Sequence, residues 1–347
     1  MTRPSSPLRL LLAGFGNVGR TLAEILRDRD GYPGLAGLEV TVVGITTASH
    51  GALANPRGID LAGALTELQA AGRFTRSTPS FAEPPTLDAI RTLDYDVLVE
   101  LTALNVRDRG EPAITHVREA LARGRHVITA NKGPVAWAYR ELAGLAAARG
   151  SAFLHEAAVM DGAPVFNLMR RCLPGNVILR LDGVLNSTTN VVLGAIERGA
   201  TLTEGIAEAQ RIGVAEADPS LDLDGWDAAV KLAALANAAM GADLAPETVT
   251  RQSLRDVSEA WVHAACTRGA RVKVVATVER SGDGVAASVT AQELPLSHPF
   301  ARTDGPGSVL RIATDLMGTI VLAEEAPDLK TTAYGVIADL LEIARRG

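Results

Sequence analysis

A lysine and an aspartate one helical turn apart are the residues of this chain whose types and spacing most directly suggest chemistry. Asp227 and Lys231 stand at i and i+4, so on a helix they share a face. From Ala228 to Met240 the only polar residues are Lys231 and Asn237. A helix that is apolar nearly all round is a buried one, so Lys231 is expected to be partly desolvated. Burial lowers a lysine pKa and an adjacent carboxylate raises it again, leaving an ammonium suited to proton transfer. Arginine could not do this, because it does not deprotonate. Glu216, Asp222 and Asp224 lie just upstream and would add acceptors for a cationic group such as an α-amine. The plain alternative is a surface ion pair, worth roughly 0.3–0.5 kcal/mol.

The lysines are few enough for each position to carry information. Of the 34 basic residues only four are lysine, namely Lys132, Lys231, Lys273 and Lys330. Lys132 lies in T-A-N-K-G-P (129–134), just past a short apolar strand, and Thr102 follows another strand at the same level. In a parallel sheet ligands bind beyond the carboxyl ends of the strands, which favours a site over a solvated turn lysine. Lys330 falls in a turn. Lys273 sits on an alternating strand and suggests no role.

Gly14, Phe15, Gly16, Asn17, Val18 and Gly19 read G-x-G-x-x-G. The pattern is weak alone, but here it follows a buried strand and opens a helix, the context in which it cradles a dinucleotide pyrophosphate. Gly14 permits the tight turn, Gly16 admits the phosphates and Gly19 lets the helix pack. The helix N-terminus then offers N–H groups and partial positive charge. An acid at the end of the second strand would select NAD. Glu39 is 20 residues past Gly19 but starts that strand, and the strand ends Thr46-Thr47-Ala48-Ser49-His50 with no arginine before Arg57. The reading leans to NADP, with NAD also open.

These residues need elements to hold them. Strands are expected at 8–13, 39–45, 94–101, 126–130 and 151–155. Helices are expected at 19–28, 60–72, 111–123 and 136–149, with loop from Phe74 to Thr86. Such alternation implies a doubly wound α/β parallel sheet of Rossmann type, covered on both faces. After residue 156 the pattern loosens into a second α+β domain. There 271–279 and 284–292 form an antiparallel pair, 309–314 and 319–322 add strands, and a helix closes the chain from about Thr332. The expected division is residues 1–155, completed by the C-terminal helix 330–347, and residues 156–329, with a site in the crevice between them.

Composition excludes other classes. The chain has 347 residues, is 47% hydrophobic and carries a formal charge of −6, which suits a folded globular protein and not a nucleic-acid binder. The polar start Met1–Pro7 and the short run at 10–13 make neither a signal nor a membrane helix, so a cytoplasmic protein away from membranes is expected. Cys172 and Cys266 form no C-x-x-C, and the six histidines are scattered, so no transition-metal site is expected.

Taken together, G-F-G-N-V-G (14–19), T-A-N-K-G-P (129–134), E-A-A-V-M-D-G-A-P (156–164), N-S-T-T-N (186–190) and G-V-A-E-A-D-P-S-L-D-L-D-G-W-D-A-A-V-K (213–231) resemble the homoserine dehydrogenase family in its short form. The resemblance implies NAD(P)-dependent interconversion of L-homoserine and L-aspartate 4-semialdehyde, on the route to threonine, isoleucine and methionine. It makes Lys231 the proton donor to the aldehyde oxygen, with Lys132 beside nicotinamide and substrate. It assigns Glu216, Asp222 and Asp227 to substrate binding and Gly213 to the cofactor. It also implies a sodium-type cation on backbone oxygens at Glu156, Val159, Asp161 and Ala163, and a homodimer formed through the second domain. Two departures stand out. The glycine-rich turn usual before the last helix is replaced at 323–331 by a stretch with three acids, and Ser187 stands where glycine is common. The alternatives are a related two-domain amino-acid or semialdehyde oxidoreductase, and a non-catalytic dinucleotide-binding regulator.

Overall fold

A computed structural model describes residues 7–346 of the chain; Met1–Ser6, most of the polar N-terminal stretch, and Gly347 lie outside the described residues. The chain divides into two compact units. One comprises the residues up to Pro134, Ala138–Gly162 and those from Asp328 on; the other comprises Val135–Trp137 and Ala163–Pro327.

The first unit is built on strands β1 (Leu8–Ala13), β2 (Val40–Thr46), β3 (Ala52–Ala54), β4 (Phe81–Ala82), β5 (Val97–Glu100), β6 (His126–Thr129) and β7 (Phe153–Leu154). They lie in the order β4-β3-β2-β1-β5-β6-β7. β1 pairs in parallel with β2 on one side and with β5 on the other, so the winding reverses at β1. That reversal is where an open α/β sheet leaves a crevice for a ligand. Leu10, Leu11, Leu12 and Ala13 are fully buried, as a strand covered on both faces requires. The sheet is not wholly parallel: β3 and β4 add an antiparallel edge, β4 within Phe74–Thr86, where loop was expected, and β3 at a stretch for which the sequence pattern gave no expectation. Strands of two and three residues are too short to show a period. The helix Thr86–Thr92, seven residues and about two turns long, falls outside the pattern because so short a helix shows little of its period.

The helix Leu329–Ala344 returns to this unit. Its Ala333, Val336, Ile337, Leu340 and Ile343 share a core with Leu10, Leu12 and Leu22. It begins earlier than Thr332 because Asp328 caps it: the Asp328 carboxylate accepts from Thr331 N, and the Thr331 hydroxyl accepts from Asp328 N. One of the acids of the divergent 323–331 turn therefore serves a helix terminus.

The second unit is built on β8 (Ile178–Val184), β9 (Thr250–Arg251), β10 (Ala270–Ser281), β11 (Gly284–Pro295), β12 (Ser308–Thr314) and β13 (Thr319–Glu324), in the order β13-β12-β8-β10-β11-β9. The expected β10–β11 pair is an antiparallel hairpin closed by Gly282 and Asp283, with Gly282 at φ +54°. β8, which the sequence pattern did not single out, is the central strand between β12 and β10. The helix Ser187–Glu197 follows it, and the apolar helix Trp226–Met240 is buried along Ala228–Val230 and Leu232–Asn237. Among the described residues no helix is long and apolar enough to cross a membrane.

Candidate functional site

In the first unit the glycine motif turns from β1 into the helix Asn17–Arg27. Gly14 has φ +101°, and a Cβ there would lie 2.5 Å from the Leu101 carbonyl oxygen, so both conformation and contact demand glycine. A Cβ on Gly16 would meet nothing within 4 Å, which leaves open space above the turn. On Gly19 it would press 3.0 Å from the Gly14 carbonyl oxygen, so this glycine packs the helix onto the loop. No side chain caps the helix at Gly16, and the first-turn N–H groups, which no helix can pair internally, are of the kind that bind an anion. The Phe15 ring points the other way, into the core against Phe74, so only its backbone belongs to the loop. Asn17 is exposed and accepts from Arg20, and Val18 is half-buried. At the end of β2, Thr47 Oγ1 is engaged by Gly51 O and His50 N. Glu39 lies at the opposite end, where its carbonyl receives Leu8 N.

The ends of β5 and β6 carry a second group of residues. Glu100 is fully buried, and its carboxylate accepts from Thr102 N at 2.9 Å, from the Thr102 hydroxyl, and from Thr129 Oγ1 at 2.8 Å. Burial pushes its carboxyl up to about 7, against the pull of those donors. Asn131 links the two threonines: its N–H donates to Thr129 Oγ1 and its amide to Thr102 O. Asn131 also caps the helix Lys132–Arg149 by accepting from Gly133 N at 2.8 Å. That helix starts earlier than the expected Ala136 and departs from helical geometry at Ala138. Lys132, half-buried, is its first residue. A cation at the positive end of a helix is held against the macrodipole, a position stability alone does not favour. The buried carboxylate was missed in the sequence because V-L-V-E reads as a strand ending in an ordinary surface acid.

Glu156, Val159 and Asp161 lie in the irregular turn after β7; Glu156 and Val159 are buried, and Asp161 has φ +43°. Thr332 Oγ1 donates to the Asp161 carboxylate, and Asp339 accepts Glu156 N. Ala163, buried, begins the second unit, and its carbonyl accepts Val165 N. Among the described residues no cluster of three or more His, Cys, Asp or Glu could hold a metal. The donor chemistry here, carbonyls of a short 3-10 turn and the irregular residues after it, fits a hard cation that takes oxygen ligands.

The second unit gathers its own cluster around Asn186. The Asn186 amide donates to Asp222 Oδ1 at 2.6 Å and to Asp227 Oδ2 at 3.0 Å. Thr188 Oγ1 donates to the other Asp222 oxygen at 3.0 Å. Lys231 Nζ lies 3.3 Å from Asp227 Oδ2 and donates to Leu185 O at 2.7 Å. The Lys231 and Asp227 side chains are each 17% exposed, so the pair is largely desolvated and not a surface ion pair. Burial, followed by the neighbouring Asp227 charge, pushes the Asp222 carboxyl up, while Asn186 and Thr188 pull it back. Three upstream acids behave differently from one another. Asp222 joins the cluster. Asp224 is turned to Ser253 and Arg255, so it adds no acceptor there. Glu216 is exposed, and its carboxylate makes no hydrogen bond or ion pair among the described residues. Gly213 is exposed, with φ +77° and open space where a Cβ would stand. Asn186 was not singled out in the sequence; N-S-T-T-N read only as one of the stretches that carry the family resemblance.

The remaining lysines are accounted for. Lys330 Nζ stands over the Tyr32 ring, 5.1 Å from its centre. Lys273 is buried, donating to Asn190 Oδ1 and to Thr303 O at 2.8 Å each. Cys172 and Cys266 are free thiols.

Two family models match the chain: the homoserine dehydrogenase NAD-binding domain over residues 14–156 and homoserine dehydrogenase over residues 164–341. An NAD(+)-dependent homoserine dehydrogenase of Pseudomonas canavaninivorans is 33% identical, with 96% of each chain covered. A homoserine dehydrogenase of Methanocaldococcus jannaschii is also 33% identical, over 96% of this chain and 98% of its own. Among solved structures, a hyperthermophilic archaeal homoserine dehydrogenase in complex with NADPH superposes with a TM-score of 0.84 at 27% identity, covering 98% of both chains. With an anion-ready glycine loop in one unit and a desolvated lysine–carboxylate cluster in the other, the chain belongs to the homoserine dehydrogenase family.

Proposed function

We propose that this chain interconverts L-homoserine and L-aspartate 4-semialdehyde, a step in amino-acid biosynthesis in the cytoplasm, and that Lys231 is its proton donor. The observation that carries the reading is the Asn186–Asp222–Asp227–Lys231 cluster. It places a desolvated ammonium beside carboxylates already held by donors. When bound, the nicotinamide supplies or receives the hydride. In the reducing direction Lys231 stabilises charge developing on the aldehyde oxygen and passes it a proton. Asp227 holds the ammonium, and Asp222 and Glu216 accept from the substrate α-amine. Lys132 would help to hold the nicotinamide and the substrate. Gly14 to Gly19, Thr102 and Gly213 serve the cofactor.

NADP is the favoured cofactor. The end of β2 bears no carboxylate to repel a 2′-phosphate, and its hydroxyl-rich turn tolerates NAD as well. A sodium ion would be held by backbone oxygens of Glu156, Val159, Asp161 and Ala163, and the chain would act as a homodimer joined through the second unit. Light scattering tests the dimer. The activity is tested by following homoserine oxidation at the nicotinamide absorbance with NAD and NADP separately, in the wild type and Lys231→Ala. The variant is expected to lose most turnover while cofactor binding survives. Unchanged turnover would overturn the role of Lys231, and an inactive wild type would overturn the whole assignment.

A further inference from the structure

Glu100 is a buried acid that the chemistry above does not use. Its two flanking strand neighbours are Ala13 on β1 and Thr129 on β6, so neither strand brings a charge against it. The turn from Gly14 to Gly16 carries no titratable group, and Lys132 is the one charged residue in the first turn of the adjoining helix, whose other charges, Arg140, Glu141 and Arg149, lie further along it. Its carboxylate meets donors: Thr102 N, the Thr102 hydroxyl and the Thr129 hydroxyl. The backbone N–H can only donate, so Oε1 is committed as an acceptor. Oε2 is not, because the Thr129 hydroxyl has a second acceptor in Asn131 O at 3.3 Å. A proton arriving on Oε2 can donate to Thr129 Oγ1 while the threonine hydrogen turns to Asn131 O. Both charge states therefore fit one arrangement of heavy atoms, with one hydrogen bond reversed.

We propose that Glu100 is a positioning residue whose ionisation tunes nicotinamide-dinucleotide binding, by setting the hydroxyl directions of Thr102 and Thr129 and, through Asn131, the start of the Lys132 helix. The inference rests on the assignment of Thr102 and Lys132 to the cofactor site. The ionised form makes charge-assisted bonds to all three donors and holds the strand ends most firmly; protonation leaves three weaker neutral bonds, one of them reversed.

Titration of the intact protein with NADPH, read by fluorescence from about pH 6 to 8.5 around the shifted carboxyl, tests it. Wild-type affinity is expected to weaken about fivefold towards the acid end. Glu100→Gln is expected to remove that dependence, because its amide reproduces the protonated pattern at every pH. Any titration of the ligand itself is common to both proteins and cancels in the comparison. Thr129→Val, which lacks the reversible hydroxyl, is expected to flatten the profile too. Its melting temperature, and that of Glu100→Gln, are measured alongside to check that both variants are folded. A Glu100→Gln profile parallel to the wild type would overturn the inference while leaving the cofactor assignment intact. A wild type that binds no nicotinamide dinucleotide would overturn both.

Discussion

Replacing Asn186 with alanine separates a helix cap from a site-building side chain. Its Oδ1 accepts Thr189 N at 2.8 Å, capping the helix Ser187–Glu197, while its Nδ2 donates to Asp222 at 2.6 Å and Asp227 at 3.0 Å. Losing the cap costs about 1 kcal/mol. Losing two charge-assisted bonds to carboxylates that are mostly out of water costs about 1–1.5 kcal/mol each, for a total of about 3–4 kcal/mol. Asn186→Ser keeps a capping oxygen and is expected to recover about 1 kcal/mol of this. The remainder depends on pH. The Asp222 carboxyl already lies above its ordinary value, and Asn186 is one of the groups pulling it down. Without that amide the carboxyl rises further, so the native state holds a proton that the unfolded chain releases. The deficit relative to the wild type therefore grows as pH rises from the folded value of the wild type, itself above the ordinary aspartate value, to the higher folded value of the variant, and levels off beyond it. Urea unfolding at about pH 5 and pH 8, with KM for homoserine measured alongside, reads both parts. The expected result is a larger loss at the higher pH and a raised KM in both variants. Equal losses at the two pH values, with full recovery in Asn186→Ser, would show that Asn186 is only a cap and refute the clamp.

Other substitutions test separate parts of the argument. Gly14→Ala forces a Cβ to 2.5 Å from the Leu101 carbonyl oxygen at φ +101°, and is expected to cost about 2–3 kcal/mol in thermal unfolding and to abolish dinucleotide binding by calorimetry. Lys273→Met leaves Asn190 Oδ1 without its buried donor and is expected to destabilise by about 2 kcal/mol near neutral pH. Burial lowers the Lys273 pKa, so the unfolded chain binds the proton more tightly; wild-type stability gains with pH between the depressed folded value and about 10.4, and Lys273→Met should lack that gain in alkaline urea titrations.

Local patterns carried the sequence reading where a few neighbouring residues decide the outcome. The glycine spacing at 14–19 specified a turn only glycine can make. The i, i+4 spacing of Asp227 and Lys231, within a run of buried apolar residues, specified a shared face and a desolvated amine. Alternation specified the β10–β11 hairpin. Family membership was legible for the same reason, because these stretches are contiguous.

Partners distant in the chain were not legible. Asp224 and Asp222 are two residues apart and look alike, yet one turns to Ser253 and the other to Asn186. Lys273 looked like any residue on an alternating strand until β10 buried it against Asn190 and the Thr303 turn. Glu100 ends an ordinary apolar strand, and only pairing with β1 and β6 takes it out of water and raises its carboxyl. Sequence by itself determined the phosphate loop and the more regular helices and strands, though not β3, β4, β8 or the helix Thr86–Thr92, since propensity and period act over a few residues. Tertiary structure alone decided which acids are buried and what each one faces, because desolvation and hydrogen-bond partners come from whichever distant elements pack against a side chain.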